Sequence, residues 1–205
     1  MIKLKTLSIM LVTLLISVLV FQNNNIGNTL KTNSIYDIPE VTDFSSLQKA
    51  FQQGNGSVRL VALLSPSCPY CIKGYRYMIK LLEEIVDERL KMYIIWEPML
   101  SGDSKELADK VSKEVNDPRM VFQAWDENRV NGKLWTSVMK KTDNRWRANG
   151  PAWDVYFLYR ANEKWDEDKP SVPDYWQHQG AGTAELKLNY SKLKSKIEEF
   201  LVELN

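Results

Sequence analysis

The chain holds two cysteines, Cys68 and Cys71, inside the stretch Ser65-Pro66-Ser67-Cys68-Pro69-Tyr70-Cys71. Their spacing suits thiol–disulfide exchange. A thiolate is the nucleophile in that chemistry, and a free thiol with a pKa of about 8.5 is mostly protonated at neutral pH. Cys68 stands where a helix would be capped, with Pro69 at its first position. Proline fits there because it has no N–H to waste and its φ is already helical. Cys68 would then face unpaired backbone N–H groups and the positive end of the helix dipole, a field worth up to about 2 kcal/mol. Cys71, one turn further in, would be less exposed and would resolve a mixed disulfide formed at Cys68. As a staple the pair is poor, because so small a loop removes little unfolded-state entropy.

Other uses of two thiols remain open on the residues alone. A structural zinc site needs four ligands, and the chain offers no third cysteine and one histidine, His178. A copper(I) site from Cys68, Cys71 and His178 is chemically consistent, since thiolates select Cu(I). His178 reads otherwise as a surface or hairpin histidine, and the cysteines as packing residues.

The elements that must position the thiols are legible on both sides. Residues 58–64 form a near-continuous apolar run interrupted by Arg59, the pattern of a central strand buried on both faces. A helix is predicted from Pro69 to about residue 90, with Ile72, Tyr75, Met78, Ile79, Leu82, Ile85 and Val86 at helical spacing. Residues 92–96 are a second apolar run, stopped by Glu97-Pro98. Together they predict a strand–helix–strand unit with a parallel pair. Ahead of it, Thr42 or Asp43 caps a helix ending near Gln53.

Beyond it, residues 101–116 read as a solvated helix. Residues 117–149 read as an inserted, partly helical segment. Within it, residues 120–125 suit a short strand or a helical turn, and Asn131-Gly132 signals a turn. Gly150-Pro151 precedes a strand at 153–159, whose partner is expected at 175–179. Residues 186–190 read as extended, and Ser191 caps a last helix.

Composition narrows the function classes. Among 205 residues, 27 basic and 26 acidic side chains give a net charge of +1, so nucleic acid has no electrostatic footprint here. The seven tryptophans suit either an aromatic core or a binding cleft. Lys3 and Lys5 precede an apolar run at 7–21, the layout of a secretory signal. Residues 1–22 are read as a signal peptide or signal anchor, 23–41 as a polar tether and 42–205 as one domain outside the cytoplasmic membrane. No cysteine directly follows the run, so a lipoprotein anchor is not expected.

The order strand, Cys68-Pro69-Tyr70-Cys71, long helix, strand, helix, proline-led strand, hairpin and final helix resembles the thioredoxin-like superfamily. Its Pro-Tyr dipeptide is similar to that of glutaredoxins. The resemblance implies an α/β fold with a central mixed sheet flanked by helices. It implies that Cys68 and Cys71 are catalytic, with Pro69 and Tyr70 supporting them. It further implies that Pro151 is a cis-proline and that Gly150 lies against the active site, the two positioning a substrate chain. Three positions depart from familiar patterns. Ala62 replaces a buried carboxylate, Ser67 a tryptophan, and Asn149-Gly150 the Thr-Val of glutaredoxins.

The resulting expectation is an extracytoplasmic, monomeric thiol–disulfide oxidoreductase without a metal or cofactor. It would exchange with protein or small-thiol partners and with a separate redox partner, and the N-terminal segment could hold it at the membrane. Two alternatives are a copper-binding or metallochaperone module and a non-catalytic thioredoxin-like adaptor.

Overall fold

The computed structural model describes residues 37–205. The signal or anchor and most of the tether lie outside them. Among the described residues no helix is long and apolar enough to cross a membrane.

The chain runs α1 (Ser45–Gln53), β1 (Val58–Leu64), α2 (Pro69–Glu84), β2 (Leu90–Trp96), α3 (Lys105–Ser112), β3 (Met120–Trp125), α4 (Val130–Thr142), β4 (Val155–Tyr159), β5 (Tyr175–His178), a 3₁₀ turn (Ala184–Leu186) and α5 (Tyr190–Val202). The five strands form one sheet in the order β3-β2-β1-β4-β5. β1, β2 and β3 are parallel, whereas β4 runs antiparallel to both β1 and β5. This is a central mixed sheet flanked by helices, as the element order implied.

Every residue of β1 is buried, as a strand flanked on both faces must be. Leu60, Ala62, Leu64, Met92 and Ile94 share one core with α2 and α5, through Tyr75, Met78, Leu82, Ile197 and Phe200. Val61, Leu63, Ile95 and Phe157 share the other with α1 and α4, through Leu47, Phe51, Trp135 and Met139. Arg59, the break in the apolar run, is fully buried, and its two terminal nitrogens are hydrogen-bonded while Nε has no partner among the described residues. Its guanidinium donates to the carbonyls of Phe51, Arg160, Ala161 and Glu163 and lies over the Phe51 ring.

Several boundaries differ from expectation, each for a local reason. α2 stops at Glu84, because Asp87 turns the chain by accepting the Arg89 N–H at 2.8 Å. α3 is shorter than expected, since Ser104 caps it by accepting the Leu107 N–H. Ser191 lies inside α5, and the cap is Asn189, which accepts the Lys192 N–H. Of the extended run expected at 186–190, Leu186 ends a 3₁₀ turn and Tyr190 opens α5, while Lys187 between them bridges to His178.

The inserted segment supplies an edge strand and a helix. β3 pairs with β2 and is itself lined by the chain entering the fold. Val41 donates to the Trp125 carbonyl and Trp125 donates to that of Pro39. Asn131-Gly132 is no turn. It lies in the first turn of α4, where Asp126 accepts the N–H groups of Val130 and Asn131 and Glu97 accepts that of Gly132. Six of the seven tryptophans are buried, at positions 96, 125, 135, 146, 165 and 176. The aromatic excess is therefore mostly core.

Candidate active site

Cys68 is the N-cap of α2, with extended dihedrals (φ −77°, ψ 118°), and Pro69 opens the helix. The cap is fixed by its own backbone, which donates to the Ser65 carbonyl and accepts the Ile72 N–H. The preceding loop is clamped by Asp103. Its carboxylate accepts the Ser65 hydroxyl, the Ser67 N–H at 2.8 Å and the N–H groups of Met99 and Leu100 at 2.7 Å. Partial burial pushes the Asp103 carboxyl up, but those donors outweigh it and hold it below the usual range.

Both thiols are free. Cys68 is 5% exposed and lines a cleft of about 500 Å³, whose walls include Tyr70, Trp153, Asp154, Lys187 and Leu188. Cys71 is fully buried behind it. Burial pushes the Cys71 thiol far up, and the neighbouring Asp154 carboxyl adds to the effect. The two cysteines are thus unequal, one at the cleft and one behind it.

Asp154 was not singled out in the sequence, yet it completes the site. It immediately precedes β4 and has a left-handed backbone (φ 53°). Its N–H donates to the Leu63 carbonyl and its carbonyl accepts the Gln179 N–H, so both main-chain groups are held. One carboxylate oxygen accepts the Gln179 amide at 2.8 Å and the Tyr156 hydroxyl at 3.1 Å. Burial raises the carboxyl above its ordinary range, while hydrogen bonds from Gln179, Tyr156 and the Cys71 thiol pull the other way. The Gln179 amide also donates to the Tyr70 carbonyl at 2.7 Å, tying the start of α2 to the end of β5. The signal was present in the sequence, an ionisable residue set at the head of an otherwise apolar aromatic strand.

Ala62 brings no carboxylate to the thiols, whereas Asp154, just ahead of β4, does. Ala62 pairs with Tyr156 on β4, and the Tyr156 ring reaches across toward Cys71 and Asp154. Burial raises the Tyr156 hydroxyl well above its ordinary range, with Asp154 and Cys71 adding to it.

The expectations for Gly150 and Pro151 are corrected in geometry. No peptide bond among the described residues is cis, so Pro151 is trans. Gly150 is exposed and its carbonyl accepts the Thr136 hydroxyl, which directs it toward α4. Neither residue lines the cleft. The chain between Pro151 and β4 is long enough for Asp154, three residues later, to take the place beside the thiols.

His178 is likewise displaced from the reading that joined it to copper. It is buried on β5, with Nε2 at 2.9 Å from the Thr183 carbonyl. Burial lowers its pKa, against the pull of that carbonyl. It is a hairpin histidine, although a buried one. The donor atoms that do converge are those of Cys68, Cys71 and Asp154, all within 4.8 Å of one another.

No protein-family model matches the chain and no curated protein matches it. Solved structures do. A secreted Mycobacterium tuberculosis disulfide oxidoreductase homologous to E. coli DsbE is 10% identical, over 72% of this chain and 85% of that one, with a TM-score of 0.41. A putative thiol:disulfide interchange protein DsbE from Chlorobium tepidum is 14% identical, over 75% of this chain and 84% of that one, with a TM-score of 0.42. The thioredoxin domain of a Bacteroides vulgatus thiol–disulfide oxidoreductase is 14% identical, over 71% and 83%, with a TM-score of 0.38. The chain is similar to these thioredoxin-like proteins, and the chemistry of its site rests on its own residues.

Proposed function

We propose that the protein is a thiol–disulfide oxidoreductase. The observation that carries this reading is the inequality of the two thiols. Cys68 caps a helix at the wall of a cleft, and Cys71 lies fully buried one turn behind it. At the cap, Cys68 stands beside the first backbone N–H groups of α2, which have no partner within the helix.

In the reducing direction, the Cys68 thiolate attacks one sulfur of a substrate disulfide. A Cys68–substrate disulfide forms and the other substrate sulfur leaves as a thiolate that takes up a proton. Cys71 then loses its proton and attacks the Cys68 sulfur. The mixed disulfide breaks, the second substrate thiolate leaves, and Cys68–Cys71 is oxidised while the substrate has gained two electrons. The oxidising direction is the same path reversed.

Substrate would rest against Tyr70, Trp153 and Leu188, with Gly150 and Pro151 at the outer end of the same loop. The substrate class is a protein or small-molecule disulfide, and a separate redox partner resets the pair. The basic and apolar start of the chain supports a location outside the cytoplasmic membrane, where disulfides persist.

The test is a trap. Cys71→Ser should accumulate a stable mixed disulfide through Cys68, and Cys68→Ser should abolish reduction of an insulin disulfide. Wild-type protein that neither turns over insulin nor equilibrates with a glutathione buffer, together with an empty trap, would overturn the reading.

A further inference from the structure

Two sulfurs and a carboxylate oxygen, all on buried side chains, meet at the floor of the cleft. We propose that in the reduced protein Cys68, Cys71 and Asp154 form a zinc(II) site that masks the dithiol. The inference rests on the reactive-dithiol reading and adds a ligand to that same site.

The geometry suits the ion. A tetrahedral zinc with Zn–S of about 2.3 Å sets its sulfurs roughly 3.8 Å apart. The three donor atoms lie within 4.8 Å of one another, so small side-chain shifts would close the set. Three protein ligands leave one tetrahedral position, the arrangement of open zinc sites that keep a water. The cleft lies on that side, because Cys68 and Asp154 both line it.

The carboxylate is also prepared as a ligand. Gln179 and Tyr156 both donate to the same oxygen, which fixes the group, and the remaining donor, the Cys71 thiol, gives up its proton when it becomes a ligand. Outer partners of this kind orient ligands in metal sites. Both donors are neutral, and Asp154 makes no salt bridge among the described residues. A buried carboxyl without a cationic side chain is costly to ionise, and a bound cation removes that cost. Its left-handed backbone holds it there (φ 53°).

The donor set discriminates between metals. Copper(I) is satisfied by thiolates alone, whereas a carboxylate oxygen beside two thiolates favours a borderline ion such as zinc. His178 takes no part, since its ring nitrogens do not belong to the converging set of donor atoms. Binding forms two Zn–S bonds, and each thiol that was protonated gives up its S–H proton to solvent. No electrons move. With both sulfurs ligated, neither can attack a disulfide, and a Cys68–Cys71 disulfide has no thiolate to offer zinc.

The test titrates reduced, metal-free full-length protein with zinc against a chromophoric chelator. One ion per chain is expected, with at least tenfold weaker binding by Asp154→Asn and none by the oxidised protein. X-ray absorption of zinc-loaded wild type gives a reading that does not depend on the variant folding. Two sulfurs with two lighter ligands support the site, and three or four sulfurs overturn it. Unchanged affinity in Asp154→Asn, or no competition with the chelator, also overturns it. Insulin reduction by the metal-free wild type is scored separately. Turnover without zinc binding sinks the metal site alone, and zinc binding without turnover sinks the oxidoreductase reading alone.

Discussion

Asp103 carries no sulfur, yet it decides where Cys68 stands. Its carboxylate gathers the Ser65 hydroxyl and the N–H groups of Ser67, Met99 and Leu100. These donors come from the loop before Cys68 and from the loop after β2. Asp103→Ala leaves all four without their acceptor, and a lost partner costs about 1–3 kcal/mol when the donor is buried. The site is half open to water, so a stability loss toward the lower end is expected in urea denaturation. The larger expected effect is kinetic. Exchange with a model disulfide should slow while the Cys71→Ser trap still forms, because the thiol is present but its loop is no longer held. Asp103→Asn keeps one oxygen and should fall between the two.

At the scale of elements, α2 and β4 meet through a missing side chain. Gly74 is buried one turn beyond Cys71, and a Cβ there would fall within the Tyr156 phenol. The helix accepts a residue of low propensity at this point so that the Tyr156 hydroxyl can reach Asp154. Gly74→Ala would raise intrinsic helix propensity by about 1 kcal/mol, but overpacking costs typically about 1–3 kcal/mol. A net loss of thermal stability is expected. Ultraviolet spectroscopy of the tyrosine should report a changed Tyr156 environment, and Gly74→Ala paired with Tyr156→Phe should not restore packing, because the ring carbon also crowds the added methyl.

Elements defined by near neighbours were readable in the chain. β1, the Cys68-Pro69 cap, α2, β2 and α5 arise from apolar periodicity and capping chemistry. Elements defined by distant partners were not. Asn131-Gly132 reads as a turn because local propensity favours one, but Glu97, 35 residues away, accepts the Gly132 N–H and supports a helix start. The paired cysteines were plain from their spacing. Asp154 was hidden because its meaning depends on which strand lies beside β1. The motif residues Gly150 and Pro151 were matched by order along the chain, and order does not say how far a loop reaches before its strand begins.

Across the whole molecule, Glu97 links the inserted segment to the central sheet at a cost that depends on pH. It is fully buried, one oxygen accepting the Gly132 N–H at 2.7 Å and the other without a partner. Burial raises its pKa well above the ordinary value, and the Asp126 carboxylate adds to this. The Gly132 N–H, Arg129 and Lys133 oppose it. The native state therefore keeps this proton where the unfolded chain, with a carboxyl pKa of about 4.3, has lost it. The associated stability is fully present below that value and is lost as pH rises toward the folded pKa. Glu97→Gln removes this titration. Its stability relative to wild type, measured by urea denaturation, should rise from about pH 5 to pH 8. A constant difference across that range would show that Glu97 is ionised in the fold.

The strip at Pro39–Val41 has a consequence for solubility. It covers the outer edge of β3 by exchanging two main-chain hydrogen bonds with Trp125. β3 carries Val121, 42% exposed, and a half-buried Phe122. A chain cut after Val41 would present an apolar parallel edge with open N–H and C=O groups. Bare edges of this kind recruit other strands. The strip thus acts as a guard against intermolecular sheet growth.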